Sequence, residues 1–94
     1  MLLLGNAKCR LSKDARLAVR NEVGILLDVG GGKYYSLTPV ATSVCLFLKD
    51  GIAFDSLVNL LTDRYTVAPE ILQGDVTKFL TDLHARSLCI LTEE

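Results

Sequence analysis

Residues 33–39 read KYYSLTP, and within this heptapeptide the chain changes from the period of a strand to the period of a helix. The first five residues alternate in the manner of a half-buried strand. Thr38 then offers a hydroxyl that can cap a helix, and Pro39 suits the first helical position because the N–H that it lacks would have no partner there. The segment therefore predicts a strand that runs directly into a capped helix.

The residues before this point predict two more strands. Residues 16–20 alternate polar and apolar side chains, and residues 24–29 form a short apolar run. Consecutive glycines at 30–32 separate that run from the strand at 33–37, and glycine adopts positive φ without a steric cost. The last two strands should therefore form an antiparallel hairpin. A phosphate-binding loop is disfavoured, because no Lys-Ser/Thr pair follows the glycines and the next element is a strand.

The residues after Thr38 predict three amphipathic helices. The first ends at Gly51, and its apolar face consists of Val40, Val44, Phe47 and Leu48. The apolar face of the second consists of Phe54, Leu57, Val58, Leu61 and Tyr65. The third begins at Pro69, and its apolar face consists of Leu72, Val76, Phe79, Leu80 and Leu83. A three-stranded antiparallel sheet followed by three helices is an α+β domain that resembles a winged helix-turn-helix, and residues 88–91 are expected to add a short extended tail.

Length and charge limit the classes of function. The chain has 94 residues, enough for one core, so residues 1–94 are expected to form a single domain in which residues 1–10 are loosely ordered. The net charge is −1 and the pI is about 5.7, whereas domains that bind nucleic acid often have a pI above about 9. The third predicted helix carries more carboxylates than cations, and a DNA-reading helix would need the opposite balance. No nucleic-acid partner is therefore expected.

The cysteines and the single histidine do not predict a catalytic or metal site. Cys9, Cys45 and Cys89 are widely spaced without a C-x-x-C pair, and they are expected to be inert thiols in a reducing compartment. His84 falls on the side of its helix opposite the apolar face, where a solvated histidine is expected. A Cys-His nucleophile would also require an orienting third group, which the sequence does not indicate. We therefore expect no enzyme activity, no cofactor and no metal.

The apolar run at residues 1–4 is too short for the core of a signal peptide. No other run approaches the roughly 18 residues that span a bilayer. We therefore expect a cytoplasmic protein with no membrane partner.

The strand at 33–37 and the third helix together predict a peptide-binding groove. A strand at the end of a sheet leaves N–H and C=O groups free, and an extended peptide can add itself there as a further strand. The apolar face of the helix would form the other wall. The same open edge would also allow two copies of the chain to pair as a homodimer.

From Gly24 to Leu91 the sequence resembles the PqqD-like family, whose members hold the leader region of ribosomally made peptides during modification. The resemblance rests on the order and spacing of ILLD at 25–28, GKYYSLTP at 32–39, KDG at 49–51, DV at 75–76 and F-L-x-x-L at 79–83. Within the family, the sequence is more similar to the small free-standing proteins of lasso-peptide gene clusters than to the pyrroloquinoline quinone pathway member. This distinction rests on the D-x-x-x-G-x-Y-Y hairpin and on the Y-x-V-x-P-E link into the third helix. Thr38 stands where the family commonly has Asn. Ser87 stands where a Gly usually ends the third helix, and left-handed geometry there would cost about 1 kcal/mol.

This resemblance implies that a leader peptide lies antiparallel to the strand at 33–37, with the third helix as its other wall. The implied peptide-binding residues are Lys33, Tyr34, Tyr35, Ser36, Leu37, Asp75, Val76, Lys78, Phe79, Asp82, Leu83 and Arg86. The charged members would pair with charges of the leader, while the apolar members of the helix would meet its apolar side chains or pack in the core. Tyr34 and Tyr35 point to opposite faces of the strand, so one of the two is expected to belong to the core.

The resemblance also implies the partners. It indicates an adaptor that presents a precursor peptide to separate enzymes, the nearest being a cysteine-type leader peptidase and an ATP-dependent ring-forming ligase of lasso-peptide biosynthesis. One alternative is a PqqD-type carrier for a radical-SAM or other peptide-modifying system. An alternative from another class is a winged-helix module that binds DNA or another protein.

Overall fold

Two three-stranded antiparallel sheets and three helices make up residues 7–93, the part of the chain that this computed structural model describes. The elements in chain order are β1 (Ala7–Leu11), β2 (Ala15–Arg20), β3 (Val23–Asp28), β4 (Lys33–Ser36), α1 (Pro39–Leu48), β5 (Ile52–Ala53), α2 (Phe54–Arg64), α3 (Pro69–Ala85) and β6 (Cys89–Glu93). The run from β2 to α3 confirms the predicted α+β arrangement of a three-stranded sheet and three helices.

The sheet β2-β3-β4 is the one that the sequence predicts. β3 and β4 pair in antiparallel, with Leu26 opposite Tyr35. Gly32 has a φ of 69° and donates its N–H to the carbonyl oxygen of Asp28 at 2.8 Å. A residue with a side chain would be strained at this φ, which accounts for glycine at this point of the reversal. The predicted hairpin is therefore confirmed.

The second sheet has the order β5-β1-β6 and is not predicted as a sheet from the sequence. β1 is its central strand, with Cys9 opposite Leu91 of β6 on one side and Ile52 of β5 on the other. The extended tail expected at residues 88–91 is part of β6.

The expectation of loose order at residues 1–10 needs correction for residues 7–10. Ala7 and Cys9 are buried, with exposures of 3% and 0%. Pairing with strands on both sides satisfies the backbone groups of β1, so the strand can lie within the fold. Residues 1–6 lie outside the described residues.

The helices bury the apolar faces that their spacing predicts. Leu57 and Leu61 of α2 and Leu80 of α3 have no exposed surface, and Phe54 is 2% exposed. Full burial of such a side chain contributes about 1.5 to 3 kcal/mol. No helix within residues 7–93 is both long and apolar enough to cross a membrane.

The three cysteines are buried free thiols in this core. Burial raises the pKa of Cys45 to about 12, with the nearby Cys89 as a smaller cause. Burial raises the pKa of Cys89 to about 12 as well, with Cys9 as the smaller cause, and burial also raises the pKa of Cys9. The thiols are therefore held in the neutral form, which fits the inert role expected from their spacing.

α3 ends in the left-handed turn that the family's glycine would favour. Ser87 has a φ of 59°, so the strain of about 1 kcal/mol expected there applies. The N–H of Leu88 donates to the carbonyl oxygen of Leu83 at 2.8 Å, which turns the chain into β6. His84, in the last turn, is exposed as predicted.

Candidate peptide-binding groove

β4 is an edge strand of its sheet, and the register of the sheet determines which of its backbone groups are free. The N–H of Leu37, the residue after β4, donates to the carbonyl oxygen of Gly24 at 2.9 Å. Hydrogen-bonded pairs alternate along an antiparallel ladder, so Tyr35 also directs its N–H and C=O toward β3. Tyr34 and Ser36 direct theirs away from the sheet. The free edge therefore presents two donor–acceptor pairs, one from Tyr34 and one from Ser36, to a further strand.

α3 meets β4 near the C-terminal end of the helix. Arg86 donates from Nη1 to the hydroxyl oxygen of Tyr35 at 3.2 Å, and its guanidinium carbon lies 5.1 Å from the centre of the tyrosine ring. A cation over an aromatic face is attracted by about 0.5 to 1 kcal/mol at an exposed site. This contact joins helix and strand at one end of the groove.

An apolar pocket of about 480 Å³ lies at the other end of the groove, where β4 runs into α1. It is lined by Ser36, Leu37, Thr38, Val40, Ala41, Val44, Val67, Leu72, Asp75, Val76 and Phe79. Most of these side chains are apolar, and Asp75 supplies a carboxylate at the wall formed by α3. A pocket of this kind suits one or two apolar side chains with a cation beside them.

A hydrogen-bonded cluster holds α1 against the sheet and so keeps the pocket wall in place. Thr38 Oγ1 accepts the N–H of Ala41 at 3.1 Å, which is the cap expected from the sequence. Thr42 Oγ1 accepts the N–H of Gly24 at 2.8 Å and donates to the carbonyl oxygen of Thr38 at 2.9 Å. A Cβ on Gly24 would lie 2.9 Å from Thr42 Oγ1, so only glycine allows this approach.

Tyr65 positions the segment that joins α2 to α3. Its hydroxyl lies 2.8 Å from Ser43 Oγ and donates to the carbonyl oxygen of Pro39 at 3.3 Å. Both contacts tie the start of the linker to α1. Val67, two residues later, consequently reaches the pocket.

The structure separates the residues of β4 that the sequence groups together. The inner face of the strand carries the side chains of every second residue, namely Lys33, Tyr35 and Leu37. Leu37 is buried, and Tyr35 is partly buried against the core. Tyr34 and Ser36 lie on the outer face, where Tyr34 is 71% exposed. Tyr35 is therefore the tyrosine that joins the core.

The predicted residues of α3 fall into three groups. Val76 and Leu83 are buried in the hydrophobic core, and Val76 also lines the pocket. Asp75, Phe79, Asp82 and Arg86 recur at helical spacing on the side where Phe79 lines the pocket and Arg86 reaches Tyr35. Lys78 is rotated by about 100° from Phe79 around the helix, which places it at the border of this side.

The sequence does not identify every residue of the pocket. Val40, Val44 and Leu72 are predicted only as members of buried helix faces, and Val67 and Ala41 belong to no predicted face. Their common pocket arises from the crossing of α1, α3 and the linker. Helical periodicity carries no signal for such a crossing.

Two solved structures share this fold. TbiB1 in complex with the TbiA(beta) leader peptide superposes with a TM-score of 0.78 at 22% identity, covering 85% of this chain and 93% of that one. Lasso peptide synthetase B1 complexed with the leader peptide superposes with a TM-score of 0.74 at 24% identity, covering 87% of this chain and 96% of that one. At these identities the likeness establishes the fold.

Sequence comparison identifies the family. No curated protein matches the chain significantly. The PqqD family, described as coenzyme PQQ synthesis protein D, matches residues 24–88, which is more than half of the chain. The match runs from β3 through α3 and includes both walls of the groove. The chain therefore belongs to the PqqD family.

Proposed function

We propose that this protein is a non-catalytic adaptor that binds the leader region of a ribosomally synthesised precursor peptide by strand addition and presents it to maturation enzymes. One observation carries the proposal. The free edge of β4, with the backbone groups of Tyr34 and Ser36 directed outward, lies beside an apolar pocket and faces α3. Main-chain hydrogen bonds then supply affinity for an extended peptide, and the pocket supplies selectivity.

The proposed peptide runs antiparallel to β4 as a fourth strand. Its backbone pairs with Tyr34 and Ser36, and alternate side chains face α3. One apolar side chain enters the pocket next to Leu37 and Phe79. The contact is small, so we expect a leader of 15 to 25 residues to bind with a Kd between about 10 nM and 10 μM.

Family membership and the two structural relatives support this role. The two relatives are TbiB1 and lasso peptide synthetase B1, and each is bound to a leader peptide. Both share the fold that forms the groove here. The proposed enzymes that receive the peptide are a leader peptidase and a ring-forming ligase. A carrier for another peptide-modifying system would use the same groove, and genes adjacent to that of this protein distinguish the two by the enzymes they encode.

Fluorescence anisotropy with labelled leader peptides from adjacent precursor genes tests the proposal. We expect saturable binding of a leader and at least about hundredfold weaker binding of duplex DNA, because the net charge is −1 and α3 carries more carboxylates than cations. Amide exchange measured by NMR should show protection of Tyr34 and Ser36 only in the complex. Salt-sensitive DNA binding at submicromolar protein, or leader binding that leaves both amides unprotected, would contradict the proposal.

Pairing of two copies through the β4 edge stays a separate prediction. A homodimer of this kind would occupy the groove edge, so added leader should convert it into a monomeric complex. Sedimentation with and without the leader measures this conversion.

A further inference from the structure

α3 presents its charges in a fixed order along the groove. Asp75, Phe79, Asp82 and Arg86 follow one another at intervals of four, three and four residues, which keeps them on one side of the helix. Asp75 and Phe79 line the pocket beside Leu37, whereas Arg86 contacts Tyr35. The helical wall therefore begins with the carboxylate of Asp75 at the pocket and ends with the cation of Arg86, and Asp82 lies between them, one turn before Arg86.

β4 extends this polarity. Side chains alternate along a strand, so Lys33 shares the inner face with Tyr35 and lies further from the pocket than Tyr35 does. Lys33 and Arg86 are both exposed, and both lie toward the end of the groove remote from Asp75. The hydrogen bond to Tyr35 uses one of the five N–H donors of Arg86, which leaves donors for a carboxylate.

A strand that adds antiparallel to β4 enters with its N-terminal part at the pocket, because β4 itself runs toward the pocket. We propose, on the basis of the leader-binding function above, that the groove selects peptides carrying a basic side chain at the pocket end and an acidic side chain closer to their C terminus. The basic group pairs with Asp75. The acidic group pairs with Arg86 and Lys33.

Helix and strand geometry determine the spacing of the two charges in the peptide. Asp75 and Arg86 are separated by about 16 Å along the helix, at ~1.5 Å per residue. A strand covers that length in about five residues at ~3.4 Å each, and only every second side chain faces the helix. The acidic residue therefore follows the basic residue by about four to six positions.

The charges tune selectivity rather than create binding. An exposed ion pair changes affinity by roughly twofold to fivefold, and replacing attraction by repulsion at two positions changes it by about tenfold or more. Salt should reduce this difference, because exposed charges are screened within about 10 Å at 0.1 M ionic strength. The affinity that comes from main-chain pairing and from the apolar pocket does not depend on these charges.

A peptide-display selection tests the charge order. Randomised 16-residue peptides are selected on the wild-type protein and on the exchanged variant Asp75→Lys/Arg86→Glu. Asp63→Lys/Arg64→Glu on α2, an exchange at exposed residues outside the groove, is the matched control. The single variant Asp75→Lys retains the Tyr35 contact, and thermal melting checks that every variant is folded.

We expect wild-type protein and control to enrich peptides with a basic residue four to six positions before an acidic residue. Asp75→Lys should lose the basic preference, and the exchanged variant should weaken or reverse the charge order. Enriched peptides that compete with a leader but show no charge order, or the same order on all variants, would refute the charge selection and leave leader binding intact. Failure to enrich any peptide that competes with a leader, together with failure of the leader itself to bind, would refute both.

Discussion

Proline substitutions in β4 test the proposed docking edge one residue at a time. The N–H of Ser36 faces the open edge, so Ser36→Pro removes no hydrogen bond within the sheet, and proline is tolerated on edge strands. We expect the free energy of unfolding to change by less than about 1 kcal/mol. In the complex the same change removes one main-chain hydrogen bond of about 0.5 to 1.5 kcal/mol and puts the proline ring where the peptide backbone must lie. Leader affinity should therefore fall at least about tenfold.

Tyr35→Pro should have the opposite effect. It removes an N–H that pairs with β3 at Leu26, worth about 0.5 to 1.5 kcal/mol, together with the half-buried ring that contacts Arg86. A fully buried aromatic side chain costs about 3 to 5 kcal/mol to truncate, so half of this and the lost hydrogen bond give a loss of about 2 to 4 kcal/mol. In a domain of this size that loss lowers the Tm by at least about 8 °C.

Circular dichroism melting and leader anisotropy measure the two effects separately. Tyr34→Pro is the matched variant, because the N–H of Tyr34 faces the same open edge as the N–H of Ser36. We therefore expect Tyr34→Pro to keep a native melt and to lose leader affinity, as Ser36→Pro does. Wild-type affinity in both Ser36→Pro and Tyr34→Pro would show that β4 is not the docking strand. Unfolding of Ser36→Pro combined with a native melt for Tyr35→Pro would show that the deduced direction of the amides is wrong.

Three further predictions concern the framework of the groove. Leu80→Ala should cost about 2 to 5 kcal/mol in urea denaturation because this fully buried side chain leaves a cavity; a loss below 1 kcal/mol would contradict the packing of α3. Gly24→Ala should cost about 1 to 3 kcal/mol because its Cβ would lie 2.9 Å from Thr42 Oγ1, and unchanged stability would show that α1 is not held there. Stability should fall as pH rises from about 9 toward about 12, because unfolded thiols ionise in this range while the raised pKa values of Cys45 and Cys89 keep them protonated in the fold. These two groups together give a slope of about 2.7 kcal/mol per pH unit, and Cys45→Ala should reduce the slope by about 1.4 kcal/mol per pH unit.

The fold could be predicted wherever neighbouring residues determine it. The helix that follows Thr38 and the hairpin at the triple glycine depend on local φ preferences and on capping, and both are confirmed. β1 does alternate apolar and polar residues, but Ala7 and Cys9 are buried only because β5 and β6 pair with the strand. β5 has two residues, too few for any period to be recognised.

The groove could be predicted only in part. The helix spacing brings Asp75 and Phe79 to one side, and the sequence indicates an open strand edge. The direction of each amide in β4 follows from the register with Gly24, which no local pattern encodes. The position of Val67 likewise depends on the hydroxyl contacts of Tyr65, which join residues more than twenty positions apart.

The pairing of β1 with β6 affects the order in which the protein folds. Ala7 lies opposite Glu93, so this sheet closes a loop of nearly the whole described chain, whereas β2, β3 and β4 are joined by short turns. Closing a loop of about 80 residues costs roughly 4 kcal/mol of chain entropy before the contacts form. The hairpins should therefore form first and the sheet of β1 last. The strand edge proposed to receive a peptide thus belongs to the early part of folding, and the two ends of the domain complete it.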